Sequence, residues 1–188
     1  MKTRIHLPIT HQGRKVKIIP TQPVIFLAGP IRNAPHWHDE AIKFLLNEDA
    51  DVFIASPRRT IHADLMKFVE LDNNSYEVFK RQRAWERYYL DAASENGCIV
   101  FYLPKESEIK DDPSKVYAHI TMMELGVWIA RHKRDREIGL VVATDGNFPE
   151  WSTIKYELEQ DGIHYVDSLE KGLEYALNHI ELDHKINK

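Results

Sequence analysis

The chain of 188 residues has a single cysteine, Cys98, which excludes an internal disulfide and a cysteine metal cluster. Its 8 glycines form no GxGxxG dinucleotide fingerprint. With 25 Lys and Arg against 29 Asp and Glu, the net charge is −4, so there is no basic surplus for a nucleic acid polymer. No apolar run approaches the roughly 20 residues of a membrane-spanning helix, and no secretory signal is evident. We therefore expect a soluble, cytoplasmic protein with no nucleic acid or membrane partner.

The rest of the composition is that of an ordinary globular protein. Hydrophobic residues make up 43% of the chain and charged residues 29%, which excludes wholesale disorder. A chain of this length fits one domain around one core. We expect an N-terminal extension over residues 1–22, a single α/β domain over 23–182 and a tail over 183–188. In the extension, two short apolar segments flank a His-Gln-Gly turn and predict a hairpin.

Short apolar runs alternate with amphipathic segments along the domain. The runs VIFLA and CIVFYL lack polar alternation, which is typical of strands covered on both faces. We predict a doubly wound, mostly parallel five-stranded sheet with helices on both faces, flavodoxin-like or Rossmann-like. The predicted strands are 24–28, 51–55, 98–103, 138–143 and 163–166, and the predicted helices are 37–46, 75–94, 116–132, 152–161 and 168–179, with Ser168 capping the last.

Ligands of such sheets bind beyond the carboxyl ends of the strands. Gly29 and Pro30 follow the first strand, where a glycine lets a ligand approach the backbone closely or simply makes a turn. Arg58 and Arg59 follow the second strand, where they either hold a phosphate or a base or lie exposed in a loop. These positions are our first candidates for substrate contacts.

The predicted helix 75–94 carries a glutamine on its apolar face. Gln82, Trp85, Tyr89 and Ala92 share one side of this helix by their spacing. A buried amide needs hydrogen-bond partners. Gln82 and Trp85 therefore either contact a planar polar ligand or form a satisfied pair in the core.

The segment TMMELGVW contains a glutamate among apolar residues. Thr121 and Glu124 fit a capping box, which predicts a helix that begins near Met122. In the first helical turn, the helix dipole favours an ionised carboxylate, whereas the apolar neighbours limit its hydration. Such a carboxylate is suited to attack an electrophilic carbon, as in covalent glycosyl transfer. Gly126 indicates close packing against the sheet or a substrate.

Other polar residues have less distinctive surroundings. Asp91 lies near the end of the helix 75–94 and either enters a cleft or stays solvated. Glu86 lies one turn after Gln82 and either joins the site or pairs with a neighbouring arginine. His36 and His38 have an H-x-H spacing without a third ligand, so we predict no metal site.

Four segments together resemble nucleoside 2-deoxyribosyltransferase-like proteins. They are VIFLAGPI, RQRAWERYYLDAA, CIVFYLP and MMELGVW, in that order, and they span about residues 23–145. The resemblance implies an enzyme that cleaves the N-glycosidic bond of a 2′-deoxynucleoside through a covalent deoxyribosyl-glutamate and passes the sugar to another base. It implies small-molecule nucleoside and nucleobase substrates and no cofactor.

The same resemblance implies roles for individual residues. Glu124 matches the nucleophile. The aspartate that family members place six residues earlier is replaced by Ala118, and an acid that many place before the third strand is replaced by Gly97. Asp91 is then the nearest candidate acid, with Glu86 and Glu95 behind it. We assign substrate contacts to Gly29, Pro30, Arg58, Gln82, Trp85 and Thr121.

Two other functions remain open at the level of sequence. One is an N-glycosidase that hydrolyses a nucleoside or a nucleoside 5′-monophosphate on the same scaffold, with Arg32, Arg58 or Arg59 on the phosphate. The other is a non-catalytic nucleotide-binding sensor, which would be favoured if Glu124 only capped its helix. Because family members complete their sites from a neighbour, we also expect a homo-oligomer with the hairpin or the helix 116–132 in its interface.

Overall fold

The computed structural model of the chain describes residues 4–6, 22–58 and 75–186. Strands and helices alternate along almost all of this length. In chain order they are β1 (Arg4–His6), β2 (Val24–Ala28), α1 (Trp37–Asn47), β3 (Phe53–Ala55), α2 (Ser75–Glu95), β4 (Gly97–Leu103), α3 (His119–Arg134), β5 (Gly139–Thr144), α4 (Trp151–Asp161), β6 (His164–Val166) and α5 (Leu169–Ile186).

The strands form one parallel sheet in the order β1-β3-β2-β4-β5-β6. The chain goes from β2 to β3 on one side and then crosses to β4 on the other side of β2. The carboxyl ends of β2 and β4 therefore flank the point where the winding direction reverses, which is where doubly wound sheets bind ligands.

Helices cover both faces of the sheet, as the apolar strands predict. Along β2, Ile25 and Leu27 pack on the face of α1 and α5, whereas Val24, Phe26 and Ala28 pack on the face of α2 and α3. All five residues are nearly inaccessible to solvent. The predicted doubly wound α/β fold is confirmed.

All five predicted strands are present, and β1 extends the sheet by pairing with β3. The predicted hairpin needs residues 7–21, which lie outside the described residues, as does Arg59. Ser168 accepts a hydrogen bond from the Lys171 amide at 3.2 Å, so its predicted capping role is confirmed. The helix it caps continues well past the predicted end, to Ile186, and includes the first residues of the predicted tail. Nothing in the sequence stops it earlier, since no Gly or Pro follows 172.

Two loops meet above the carboxyl ends of β2 and β4. Asn33 is buried and has a left-handed backbone conformation with φ of 58°. Its side chain donates to the Asp112 carbonyl and accepts from the Asp112 amide, both at 3.0 Å, and its carbonyl accepts from the Ser107 amide. The loop after β2 is thereby fixed to the loop after β4. Among the described helices, none is long and apolar enough to cross a membrane.

Candidate active site

Helices α2 and α3 lie side by side on one face of the sheet. Tyr89 and Leu90 of α2 and Leu125 and Trp128 of α3 are buried in the same core cluster as Phe101 of β4. This packing fixes the rotation of both helices about their axes. The polar side chains next to those buried positions consequently face each other across the groove between the helices.

Two carboxylates in this groove share one arginine. Arg83 Nη1 donates to Glu86 Oε2 and also to Glu124 Oε1, the second at 2.5 Å. Two oxygens bonded to the same nitrogen are at most about 6 Å apart. Glu86 and Glu124, here called the carboxylate pair, are thus brought together from two different helices.

Glu86 is the more buried member of the carboxylate pair, with 7% of its surface exposed. Burial raises the pKa of Glu86, because desolvation disfavours the charged form, and the nearby Glu124 acts in the same direction. The hydrogen bond that Gln82 Nε2 donates to Glu86 Oε1 at 2.9 Å opposes this rise in pKa, and so does the charge of Arg83. Glu86 therefore holds its proton more tightly than an exposed glutamate does, which is the direction that a general acid requires.

Glu124 does not occupy the position that the capping box predicts. Helix α3 begins at His119, with Ala118 at its N-cap in a left-handed conformation, φ 55°. Thr121 is therefore inside the first turn and Glu124 lies in the second, so the predicted capping box is wrong. Thr121, Leu125 and Trp128 share the buried face of this helix, so Thr121 packs in the core and does not cap the helix. The helix dipole acts mainly on the first turn, so it contributes little to the stabilisation of an ionised Glu124. The positive charge next to Glu124 is that of Arg83.

The structure does not bring Asp91 to Glu124. Asp91 lies about one and a half turns after Glu86 on α2, and its carboxylate accepts from Arg131 Nη1 at 2.7 Å in an exposed pair. Arg83 pairs with Glu124, and Asp91 pairs with Arg131, which lie eight residues further along α2 and seven further along α3. The two pairs are therefore about 10–12 Å apart along the helices. Glu86, and not Asp91, is the acid of α2 that shares a cation with Glu124.

Gly29 and Pro30 have a structural role in the described part of the chain. Gly29 has a φ of 154°, and a Cβ there would lie 2.5 Å from the Tyr102 carbonyl oxygen and 2.7 Å from Cζ2 of Trp37. Pro30 accepts a hydrogen bond through its carbonyl from Trp37 Nε1 at 3.0 Å. The absence of a side chain at Gly29 therefore lets Tyr102 of β4 and Trp37 of α1 approach the backbone, and no ligand is needed to explain the glycine. These contacts fix the start of α1 against β4.

Three of the other predicted substrate residues lie near the carboxylate pair. Trp85 is half-buried on α2, and its ring centroid lies 6.0 Å from that of Phe26 and 4.8 Å from that of Tyr89. Gln82 reaches the Pro57 carbonyl at 3.4 Å as well as Glu86. Thr121 is buried one turn before Glu124 on the same helix. Of these three side chains, Gln82 contacts the carboxylate pair directly, whereas Trp85 and Thr121 lie next to it along α2 and α3.

Arg58 lies beyond the end of β3, one residue from the Pro57 carbonyl. It is 9% exposed, and its Nη2 atom lies 2.7 Å from Nδ1 of His36. His36 is exposed, but His38 is completely buried, and burial lowers the pKa of His38 well below its ordinary value, with Arg58 and His36 adding to the effect. The two histidines face different environments, and no group of three or more potential metal ligands occurs among the described residues.

Sequence reasoning missed the residue that joins the site together. Arg83 lies three residues before Glu86, so helical spacing alone places it near that carboxylate. The alternative in which Glu86 pairs with Arg83 is confirmed. The link from Arg83 to Glu124 spans 41 residues and requires the packing of α2 against α3, which no local pattern reveals.

Comparison with known proteins supports the resemblance seen in the sequence motifs. No curated protein matches the chain. Residues 22–141, well over half of the chain, match the protein family described as nucleoside 2-deoxyribosyltransferase like. The matched region runs from just before β2 into β5, and it includes both carboxylates and the arginine between them. The chain therefore belongs to the nucleoside 2-deoxyribosyltransferase-like family.

Proposed function

We propose that this protein is a nucleoside 2-deoxyribosyltransferase, which cleaves the N-glycosidic bond of a 2′-deoxynucleoside and transfers the sugar to a second nucleobase. The observation that carries the proposal is the carboxylate pair, Glu86 and Glu124, joined by Arg83. Retaining glycosidases place two carboxyl groups about 5–5.5 Å apart, whereas inverting enzymes separate them by about 6.5–9.5 Å to admit a water molecule. The bound of about 6 Å favours the retaining arrangement, in which one carboxylate becomes covalently attached to the sugar.

Glu124 is the nucleophile in this mechanism. One of its carboxylate oxygens attacks C1′ as the bond from C1′ to the base nitrogen breaks, and the electron pair of that bond leaves with the base. The product is a deoxyribosyl ester on Glu124. The negative charge of Glu124 also stabilises the oxocarbenium-like transition state, and the ion pair with Arg83 holds the side chain in place.

Glu86 takes the role of general acid that the sequence analysis gave first to Asp91. Burial raises the pKa of Glu86, which favours its role as donor of a proton to the departing base nitrogen. In the second half of the reaction, the ionised Glu86 accepts the proton of the incoming base as that base attacks C1′ and releases Glu124. Both half-reactions then balance in protons without a cofactor.

The half-buried surface around the carboxylate pair suits a planar base. The half-buried Trp85 offers aromatic area on which a heterocycle can pack, and the Gln82 amide supplies a donor and an acceptor for the edge of the base. Thr121 lies one turn before the nucleophile and is the nearest hydroxyl on α3 for the sugar.

A homo-oligomer belongs to the same proposal. Ile120, Met123 and Val127 of α3 lie on one helical face and are between 45% and 57% exposed, and Val116 just before the helix is 74% exposed. A row of exposed apolar side chains on the helix that carries the nucleophile is typical of a surface covered by another subunit. We expect a second copy of this chain to cover it.

The decisive experiment is a chromatographic exchange assay. The protein is mixed with 2′-deoxyinosine and adenine, and separately with thymidine and adenine, and 2′-deoxyadenosine is quantified. Glu124→Gln should abolish its formation, because the amide keeps the shape but not the nucleophile. Glu157→Gln, an exposed glutamate of α4, is the matched control and should behave as wild type.

The products discriminate between the candidate functions. Free base and deoxyribose without exchange, lost in Glu124→Gln, would replace transfer by hydrolysis at the same site. Exchange that persists in Glu124→Gln would overturn the assignment of the nucleophile. An absence of turnover with nucleosides and with their 5′-monophosphates would overturn the proposed activity.

A further inference from the structure

A guanidinium contacts the proposed nucleophile at only one of its two carboxylate oxygens. Arg83 Nη1 donates to Oε1 of Glu124 at 2.5 Å, and Oε2 accepts no hydrogen bond from any residue that the structure describes. The side chains of Arg83 and Glu124 are 25% and 20% exposed, so water screens this ion pair only in part. Oε2 is therefore the oxygen available to attack a sugar, while Oε1 stays with Arg83.

Arg83 is also anchored independently of Glu124. The same nitrogen donates to Oε2 of Glu86, whose other oxygen accepts from Gln82 at 2.9 Å. Burial alone would lower the pKa of Arg83, but the hydrogen bonds and charges of Glu124 and Glu86 raise that pKa overall. A guanidinium stays charged at any working pH. Arg83 therefore keeps both its place and its charge when the charge of Glu124 changes.

The proposed reaction changes the charge of Glu124 twice. This side chain is a carboxylate in the free enzyme, a neutral ester while it carries the sugar, and a carboxylate again after transfer. Because the ester has no net charge, the attraction between Glu124 and Arg83 is strong only in the two carboxylate states. Arg83 thus stabilises the free enzyme relative to the ester, which opposes formation of the ester and favours its breakdown.

We propose that Arg83 makes Glu124 a better leaving group, so that it speeds the second half-reaction at the expense of the first. This inference rests on the proposed function, because it concerns the breakdown of the deoxyribosyl ester. In that step the nitrogen of the incoming base forms a bond to C1′, and the bond from C1′ to Oε2 of Glu124 breaks. The electron pair of the broken bond returns to the carboxylate beside Arg83, and the proton of the incoming base passes to Glu86.

The test measures the two half-reactions separately. Protein is mixed rapidly with 2′-deoxyinosine and quenched in acid, and the ester is quantified from the mass of the intact chain. Adenine is then added to preformed ester, which gives the rate constant of breakdown. In Arg83→Met, breakdown should become slower, and the ratio of the rate constant of formation to that of breakdown should rise at least about tenfold. This is the difference between a charge-assisted and a neutral hydrogen bond.

Three further variants control for charge and for helix packing. Arg83→Lys keeps a cation next to Glu124 and should bring the ratio back towards the wild-type value. Arg83→Gln removes the charge but keeps a donor, and it should raise the ratio in the same direction as Arg83→Met even if the latter does not fold. Arg131→Met removes the other arginine that links α2 to α3, through Asp91, and should keep the wild-type ratio.

Two kinds of result would overturn the inference alone. An equal loss in both rate constants of Arg83→Met and Arg83→Gln would show that Arg83 only positions Glu124. A ratio that rises as much in Arg83→Lys as in the two neutral variants, or that rises in none of them, would show that its charge does not act on the leaving group. In each case, active exchange in wild-type protein would leave the proposed function intact. A wild-type protein that forms neither ester nor 2′-deoxyadenosine would instead overturn the proposed function, and the inference with it.

Discussion

At the scale of single residues, Glu86 combines burial with a second acid nearby. If Glu86 donates the proton to the leaving base, Glu86→Gln should lower kcat by about 10²- to 10⁴-fold, the usual contribution of general acid catalysis. Because the acid must be protonated, wild-type kcat should fall as the pH rises through the raised pKa of Glu86. The residual activity of Glu86→Gln should lack this fall, which a pH profile of kcat would show.

Asp91 provides the matched control for that prediction. It is a carboxylate on the same helix, but it is 55% exposed and paired with Arg131, so Asp91→Asn should leave kcat and its pH profile near those of wild type. A large loss in Asp91→Asn with full activity in Glu86→Gln would return the role of acid to Asp91.

Glu86 also makes folding depend on pH in a defined direction. Its pKa is raised in the folded protein, so the folded state binds more protons than the unfolded state, and the free energy of unfolding falls as the pH rises above the ordinary value near 4.5. Relative to wild type, Glu86→Gln should therefore gain stability between pH 4 and pH 7. Urea unfolding of both proteins at the two pH values measures this. A difference that is constant with pH would contradict the burial argument.

At the scale of elements, the turn from β2 towards α1 depends on a glycine. In Gly29→Ala, the new Cβ would overlap the Tyr102 carbonyl and the Trp37 ring in a backbone conformation that other residues rarely adopt. We expect a loss of about 2 kcal/mol or more in the free energy of unfolding, measured by urea denaturation.

Gly126 of α3 is the control for the turn glycine. A Cβ at Gly126 would meet no atom within 4 Å, so Gly126→Ala should stabilise the helix by about 0.5–1 kcal/mol. The close packing at Gly126 that the sequence suggests is absent in the described structure. Equal effects of the two substitutions would contradict the packing assigned to Gly29.

At the scale of elements, sequence patterns predict features that depend on neighbouring residues, such as strand bounds. They do not predict features that depend on tertiary contacts. The bounds of β2 follow from an unbroken apolar run that ends at Gly29, and the two covered faces follow from the same run. The start of α3 is missed because the threonine of the apparent capping box is buried inside the helix rather than at its cap. Tertiary burial outweighs the cap preference there.

The candidate site shows the same division between local and long-range information. Glu124 can be identified from the sequence because its immediate neighbours along the chain are apolar. The choice between Asp91 and Glu86 is not visible, since both lie on one helix and only its packing on α3 decides which meets Glu124. In the described structure, Arg83 joins Glu86 to Glu124, whereas Asp91 pairs with Arg131.

At the scale of the whole molecule, the apolar face of α3 predicts self-association. Met123 is 57% exposed at the middle of this face, so Met123→Glu should weaken the oligomer by about tenfold or more in Kd by placing a charge in the interface. Sedimentation velocity over a range of protein concentrations measures the effect. Tyr156→Glu, which alters an equally exposed residue of α4, should leave association unchanged.

A wild-type protein that sediments as a monomer at all concentrations would contradict the oligomer. Association that is weakened by Tyr156→Glu but not by Met123→Glu would move the interface to α4. Either result would leave the carboxylate pair unaffected, because both carboxylates lie in the same chain.

The arginine shared by two carboxylates has a consequence for timing. While Glu124 is free, its charge helps to keep the proton on Glu86. Once Glu124 becomes an ester, that repulsion ends and the full attraction of Arg83 acts on Glu86, which lowers its proton affinity. The same side chain then changes from proton donor to proton acceptor between the two half-reactions. In the proposed mechanism, the charge of Glu124 and the fixed charge of Arg83 thus together determine the proton affinity of Glu86 in each half-reaction.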